Sequence, residues 1–161
     1  MRRMLQNRVP HECHVFVDIL DIFGDGRAAY NHLNSISSYR DKIAWANQVP
    51  TSKTAWCFQH DQCCDLFTGA TLRCGGFPCQ DFSQAGMQQG TSGKQAPVVA
   101  AFGRKTKELA NPLLTIENVD RCPTDVVHDT FSSEYQWYCE ACFDPAAVGF
   151  DCIRRSRLGT F

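Results

Sequence analysis

The chain has 161 residues, a hydrophobic fraction of 43% and a formal net charge of −1. That length fits one domain and leaves little room for a second. The near-zero charge, spread along the chain, excludes a globally basic nucleic-acid surface and any acidic or basic tail, so contacts with phosphates would have to come from local clusters.

In chain order, "HVFVDILDIF" (14–23) is an apolar run rich in β-branched and aromatic residues that stops at "GDG". It predicts a buried strand followed by a turn. "RAAYNHLNSI" (27–36) has helical spacing, with Ala28, Tyr30, Leu33 and Ile36 as inward positions. Residues 37–65 are polar, weakly periodic and predict an irregular stretch. "ATLRCGG" (70–76) predicts a short strand running into a glycine turn, and "APVVAAFGRKTKELA" (96–110) a helix with Pro97 in its first turn. "PLLTIENV" (112–119) predicts a buried strand, "PTDVVHDTF" (123–131) a short helix, and "EYQWYCEACF" (134–143) another strand. This alternation predicts an α/β layer fold with a mostly parallel sheet. In such sheets, functional groups gather at the carboxyl ends of strands, where both "GGFPCQ" and "ENV" fall.

No apolar run approaches the roughly 20 residues that span a bilayer. The opening "MRRMLQNRVPHECHVF" has no apolar core and does not read as a secretory signal, although its arginines leave an organellar address open. Ten cysteines without a secretory signal predict thiols in a reducing compartment rather than a disulfide framework. The expected location is intracellular, without a membrane.

Three short motifs carry chemistry. Cys79 in "GGFPCQDFS" follows a strand end, with Gly75 and Gly76 permitting a tight turn and Pro78 stiffening the backbone. A thiol held out in this way is a candidate nucleophile; the alternative is a packed core cysteine. Glu117 ends the apolar strand "LLTI", where a partly buried carboxyl would be tuned as an acid; the alternative is that Glu117 and Asn118 cap the next helix. In "RRSR" (154–157), Arg155 and Arg157 alternate and would project to one side of an extended chain; the alternative is a solvated basic tail.

In this order, "GGFPCQDFS", "ENV" and "RRSR" together resemble the Pro-Cys loop, Glu-Asn-Val motif and Arg-x-Arg motif of the DNA (cytosine-5) methyltransferase family. The resemblance covers roughly residues 70 to 161. It implies a Rossmann-like, three-layer α/β fold that uses S-adenosylmethionine. Residues 1–161 are then a partial catalytic domain, with the Pro-Cys loop at 75–83, Glu-Asn-Val at 117–119 and Arg-x-Arg at 155–157. The implied reaction is methyl transfer to cytosine C5 in DNA. Cys79 would add to C6, Glu117 would bind the ring's N3 and amine, and Arg155 and Arg157 would hold its O2 side or the loop. Gln80 and Ser83 would lie near the flipped nucleotide, Asn118 would organise the loop, and Phe77 and Pro78 would border the cofactor.

The chain departs from the family pattern in several places. The glycine-rich first motif has no copy in register, because "DIFGDG" (21–26) is displaced. "VFVDILD" therefore reads as the second strand, with Asp18, or else Asp21, as the acid for the cofactor ribose. Ile153 stands where the family usually has a glutamine, which leaves Arg154 as a partial substitute for Arg155. A target-recognition region is absent from the sequence, and the expectation is a piece of a larger polypeptide. DNA is the expected partner and RNA the less favoured one. The rival readings are an RNA cytosine-5 methyltransferase and a catalytically inactive fragment that binds nucleic acid or protein.

"CFQHDQCC" (57–64) and "CEAC" (139–142) offer Cys57, His60, Cys63 or Cys64, Cys139 and Cys142 as zinc ligands. The expectation is packed thiols rather than a zinc site, because a Cys-x2-Cys pair within a strand faces opposite sides. His11 and His14 are expected at the surface near a frayed end. The aromatic group Tyr135, Trp137, Tyr138 and Phe143 is expected in the core.

Overall fold

The structure, a computed structural model, describes residues 12–66, 69–83, 86–119, 122–131, 135–136 and, for the backbone, 140–143 and 157–160. The N-terminal part is helical. Instead of a strand, residues 14–23 make an isolated bridge at Phe16 and a 3-10 helix over Ile19–Phe23. Asp18 causes the change: its carboxylate accepts a hydrogen bond from the Leu20 amide at 2.9 Å and caps the helix.

Helix α1 (Gly26–Ser35) starts where Asp25 accepts from the Ala28 amide at 2.9 Å. It buries Ala29 and Leu33, whereas Ala28 faces out. Residues 37–65, expected to be irregular, form helix α2 (Tyr39–Gln48) and a hairpin of β1 (Thr54–Cys57) and β2 (Gln62–Asp65). Ser38 caps α2, and Tyr39, Lys42 and Ala46 form its inner face. Lys42 is 2% exposed, and its ammonium donates to the Leu33 and Ile36 carbonyls, so it closes the end of α1.

The motif-bearing half follows the expected order. Strand β3 (Leu72–Gly75), helix α3 (Ala96–Leu109), strand β4 (Leu113–Val119) and helix α4 (Thr124–Phe131) come in succession. Strands β5 (Glu140–Phe143) and β6 (Arg157–Thr160) complete a sheet of order β3-β4-β6-β5. Among the described residues, only β3 and β4 pair in parallel, as the crossover through α3 requires; β4 with β6 and β5 with β6 are antiparallel. The described residues thus make a mixed α/β fold whose four-stranded sheet has one parallel pair, β3 with β4, and two antiparallel ones, against the expected mostly parallel sheet.

Two apolar clusters lie on α3. One joins Phe77, Val99, Ile116, Val127 and Phe131 with Tyr39, whose hydroxyl lies 2.7 Å from Thr130 Oγ1. The other joins Leu20, Ile22 and Leu33 to Ala101. Full burial of a side chain such as Phe131, at 0% exposure, contributes about 1.5–3 kcal/mol. Tyr135 packs on the first cluster, and its hydroxyl donates to the Asn111 carbonyl at 2.9 Å. Trp137 and Tyr138 lie outside the described residues, as does the side chain of Phe143.

Candidate active site

Cys79 lies on the loop that leaves the carboxyl end of β3, half-buried against the larger cluster. Its carbonyl accepts from the amides of Phe82 at 2.9 Å and Ser83 at 2.8 Å, which fixes a tight turn after the thiol. Of the two glycines before it, Gly75 serves space rather than a special backbone angle. Neither has a positive φ. A Cβ on Gly75 would stand 2.3 Å from the Phe102 ring, and one on Gly76 would stand 3.4 Å from Glu117 Oε2. The Phe102 ring also carries the Arg73 guanidinium, 4.7 Å from its centroid.

Asp81, a residue that motif reading passed over, holds the loop. It is 2% exposed, and its carboxylate accepts from the Gln95 amide at 2.7 Å, at the start of α3. A carboxylate at a helix N-terminus also meets the favourable end of the helix dipole. Its carbonyl takes the Gly90 amide at 2.8 Å. The signal in the sequence was an acid upstream of a helix whose Gln95 side chain offers no cap.

The second motif meets the first at the ends of the parallel pair. Asn118 is 2% exposed; its Nδ2 donates to the Phe77 carbonyl at 3.4 Å, and its Oδ1 accepts from the Val119 amide at 2.8 Å. Glu117 is exposed rather than partly buried, because strand alternation turns it away from the core side of β4 that holds Ile116 and Asn118. With Cys74, Gly75, Gly76 and Thr115 it lines a cavity of about 270 Å³. Phe77 turns into the core, Pro78 and Ser83 are half-buried, and Gln80 is exposed. The backbone of Arg157 pairs with Val119, so the third motif runs beside the end of the second; Arg154 and Arg155 lie outside the described residues.

A larger cavity of about 490 Å³ opens near the start of β3, between the N-terminal segment and the end of α3. Its wall includes Asp18, Arg73, Cys74, Lys105 and Asn111. Cys74 belongs to both cavities. Burial pulls the Arg73 guanidinium below its usual range. Arg73 Nε and Asn111 Oδ1 are buried with no hydrogen-bond partner among the described residues.

Among the candidate metal ligands, Cys57 and His60 come together, at 3.5 Å from Sγ to Nδ1. Cys63 faces solvent, whereas its neighbour Cys64 turns inward to 3.4 Å from the same nitrogen. His14, expected at a frayed end, packs its ring against His60. Burial opposes ionisation of the Cys57 thiol, but hydrogen bonds from the Val15 and His60 amides outweigh it and hold the group at about 6. Cys139 and the side chain of Cys142 lie outside the described residues.

A strand-helix-strand unit thus presents a thiol loop and a Glu-Asn pair at adjacent strand ends. The family model for C-5 cytosine-specific DNA methylase matches residues 59–133, consistent with a fragment of the catalytic domain. That match spans the Pro-Cys loop and Glu-Asn-Val. Use of S-adenosylmethionine is a trait of that family. No curated protein matches the chain. Among the described residues, no helix is long and apolar enough to cross a membrane.

Proposed function

We infer that this chain carries the cytosine-activating part of a DNA (cytosine-5) methyltransferase. The observation that carries this reading is the joining of two motifs at neighbouring strand ends. Asn118 bonds the backbone of the Pro-Cys loop, and Glu117 Oε2 lies beside Gly76 at the start of that loop.

Cytosine C5 is a poor nucleophile. Addition of the Cys79 thiolate to C6 forms a C–S bond and gives C5 enamine character. Glu117 hydrogen-bonds N3 and the exocyclic amine, stabilising charge that develops on the ring. Arg157, with Arg155 before it, holds the O2 side. Once C5 carries its new substituent, transfer of the C5 proton to water and departure of Cys79 as the thiolate restore the ring. A duplex hides C6 from side chains, so the base must leave the stack, with Gln80 and Ser83 near its backbone.

S-adenosylmethionine supplies the methyl group when bound. The larger cavity supports a place for it. Its volume is in the range of small-molecule sites, Asp18 on its wall suits a ribose, and the unpartnered Arg73 Nε and Asn111 Oδ1 are polar atoms in search of a ligand. The shared Cys74 wall brings this cavity next to the one lined by Glu117. Phe77 and Pro78 act from the loop side by shaping its backbone.

Covalent trapping on an oligonucleotide carrying 5-fluorocytosine tests the reading, since fluorine blocks release from C5. Wild type with S-adenosylmethionine is expected to give a denaturation-resistant adduct on DNA, and Cys79→Ala none. Equal absence of adduct in both proteins sinks the reading in favour of a non-catalytic fragment. An adduct with RNA alone replaces the substrate.

A further inference from the structure

We propose that His14, Cys57, His60 and Cys64 form a structural zinc site that fastens the N-terminal segment to the β1–β2 hairpin. Their ligand atoms all lie within 4.8 Å of one another. Tetrahedral zinc with Zn–S of about 2.3 Å and Zn–N of about 2.05 Å places sulfur and nitrogen ligands about 3.5 Å apart. The two Sγ to His60 Nδ1 distances, 3.5 Å from Cys57 and 3.4 Å from Cys64, already have that value.

The hairpin explains the ligand choice. Ala55 pairs with Cys64 and Cys57 with Gln62, so Cys57 and Cys64 share one face of the ribbon. That face is buried, with Cys57 at 0% and Cys64 at 8% exposure. Cys63 pairs with Trp56 on the opposite, exposed face. The turn between the strands, with Asp61 at φ 53, carries His60 over the buried face.

The fourth ligand comes from outside the hairpin. Phe16 bridges to Cys57, and the Phe58 amide donates to the Val15 carbonyl at 2.8 Å. This pairing places His14 with its ring centroid 4.8 Å from that of His60, inclined at 68°, and stacks it on Phe16 at 5.7 Å. The Val15 amide donates to Cys57 Sγ at 3.4 Å, an outer-shell bond of the kind that orients a metal-bound thiolate. Four protein ligands close the coordination shell, which makes the site structural rather than catalytic. Binding releases the two thiol protons to solvent. Two thiolates and two neutral imidazoles balance the dication, so the site, buried at its cysteines and exposed at His14, carries no net charge.

The site is independent of the methyltransferase reading. The test is metal content of the full chain, purified under reducing conditions with zinc present and then dialysed. Stoichiometric zinc is expected, with at least tenfold loss in Cys57→Ser, Cys64→Ser and His14→Ala and no loss in Cys63→Ser. Cobalt in place of zinc should give the intense visible bands of a tetrahedral thiolate site. A measurement on wild type keeps the proposal open to refutation if the variants fail to fold. Cys57 and Cys64 should resist alkylation while Cys13, Cys63 and Cys74 react, and a chelator should abolish the protection. Equal loss of zinc in Cys63→Ser and Cys64→Ser overturns the site. So does rapid alkylation of Cys57 and Cys64 with zinc bound, or protection that only a reductant removes, which would mean a disulfide.

Discussion

The chain presents cysteine in two opposite ways. At the hairpin, Cys57 and Cys64 sit on one buried face among imidazoles, each within reach of His60. At the Pro-Cys loop, Cys79 is half-buried on a turn whose backbone is held by Asp81 and Asn118. Clustered soft donors suit a closed metal shell. A cysteine on a braced loop at a strand end suits a substrate that arrives from outside. The difference lies less in the thiol than in what holds the backbone around it.

The comparison can be broken most forcefully at the loop's glycines. A Cβ on Gly86 would stand 1.8 Å from the Gln80 carbonyl oxygen, a backbone atom that cannot step aside cheaply. Gly86→Ala should lower stability by about 1–3 kcal/mol in urea unfolding and abolish adduct formation, yet keep the zinc content. Loss of both would show that the two regions are not separable.

Asp81→Ala removes the acceptor from the part-buried Gln95 amide and should cost about 1–3 kcal/mol, with Asp81→Asn costing less. Gly93→Ala should be non-additive with it, because the new Cβ would fall 2.0 Å from Asp81 Cγ and displace the same carboxylate. A double-mutant cycle in urea checks this.

A smaller effect concerns pH. Burial, then Asp125 and Cys79, push the Cys122 thiol from 9.0 up to about 12. A raised folded value means that the neutral thiol stabilises the fold below about pH 9, and that this contribution is lost as pH climbs towards 12. Stability measured across that window should fall less steeply in Cys122→Ala than in wild type. The smallest effect is expected at Arg40, whose side chain is 81% exposed in its pair with Asp129. Arg40→Ala should change stability by about 0–1 kcal/mol and leave both cysteine regions untouched.

The motif-bearing half was legible because its pattern is strong. The apolar run of β4, the Pro97 start of α3 and the glycines after β3 all mark boundaries that the structure keeps within a residue or two. Helix α2 was hidden because its inward stripe includes Lys42, which reads as polar although it is buried to serve the end of α1. Residues 14–23 misled because their β-branched run competes with the local cap made by Asp18, and the cap prevails. Spacing left Cys63 and Cys64 equivalent; only strand pairing decides which of them faces His60. The exposure of Glu117 likewise follows from strand alternation, which the motif alone does not reveal.

The single bond from the Gln95 amide to Asp81 makes the loop and the start of α3 one cooperative unit. That amide is therefore a gauge built into the protein. It can exchange its hydrogen with solvent only when the carboxylate lets go, so its exchange rate counts the moments at which the loop around Cys79 opens.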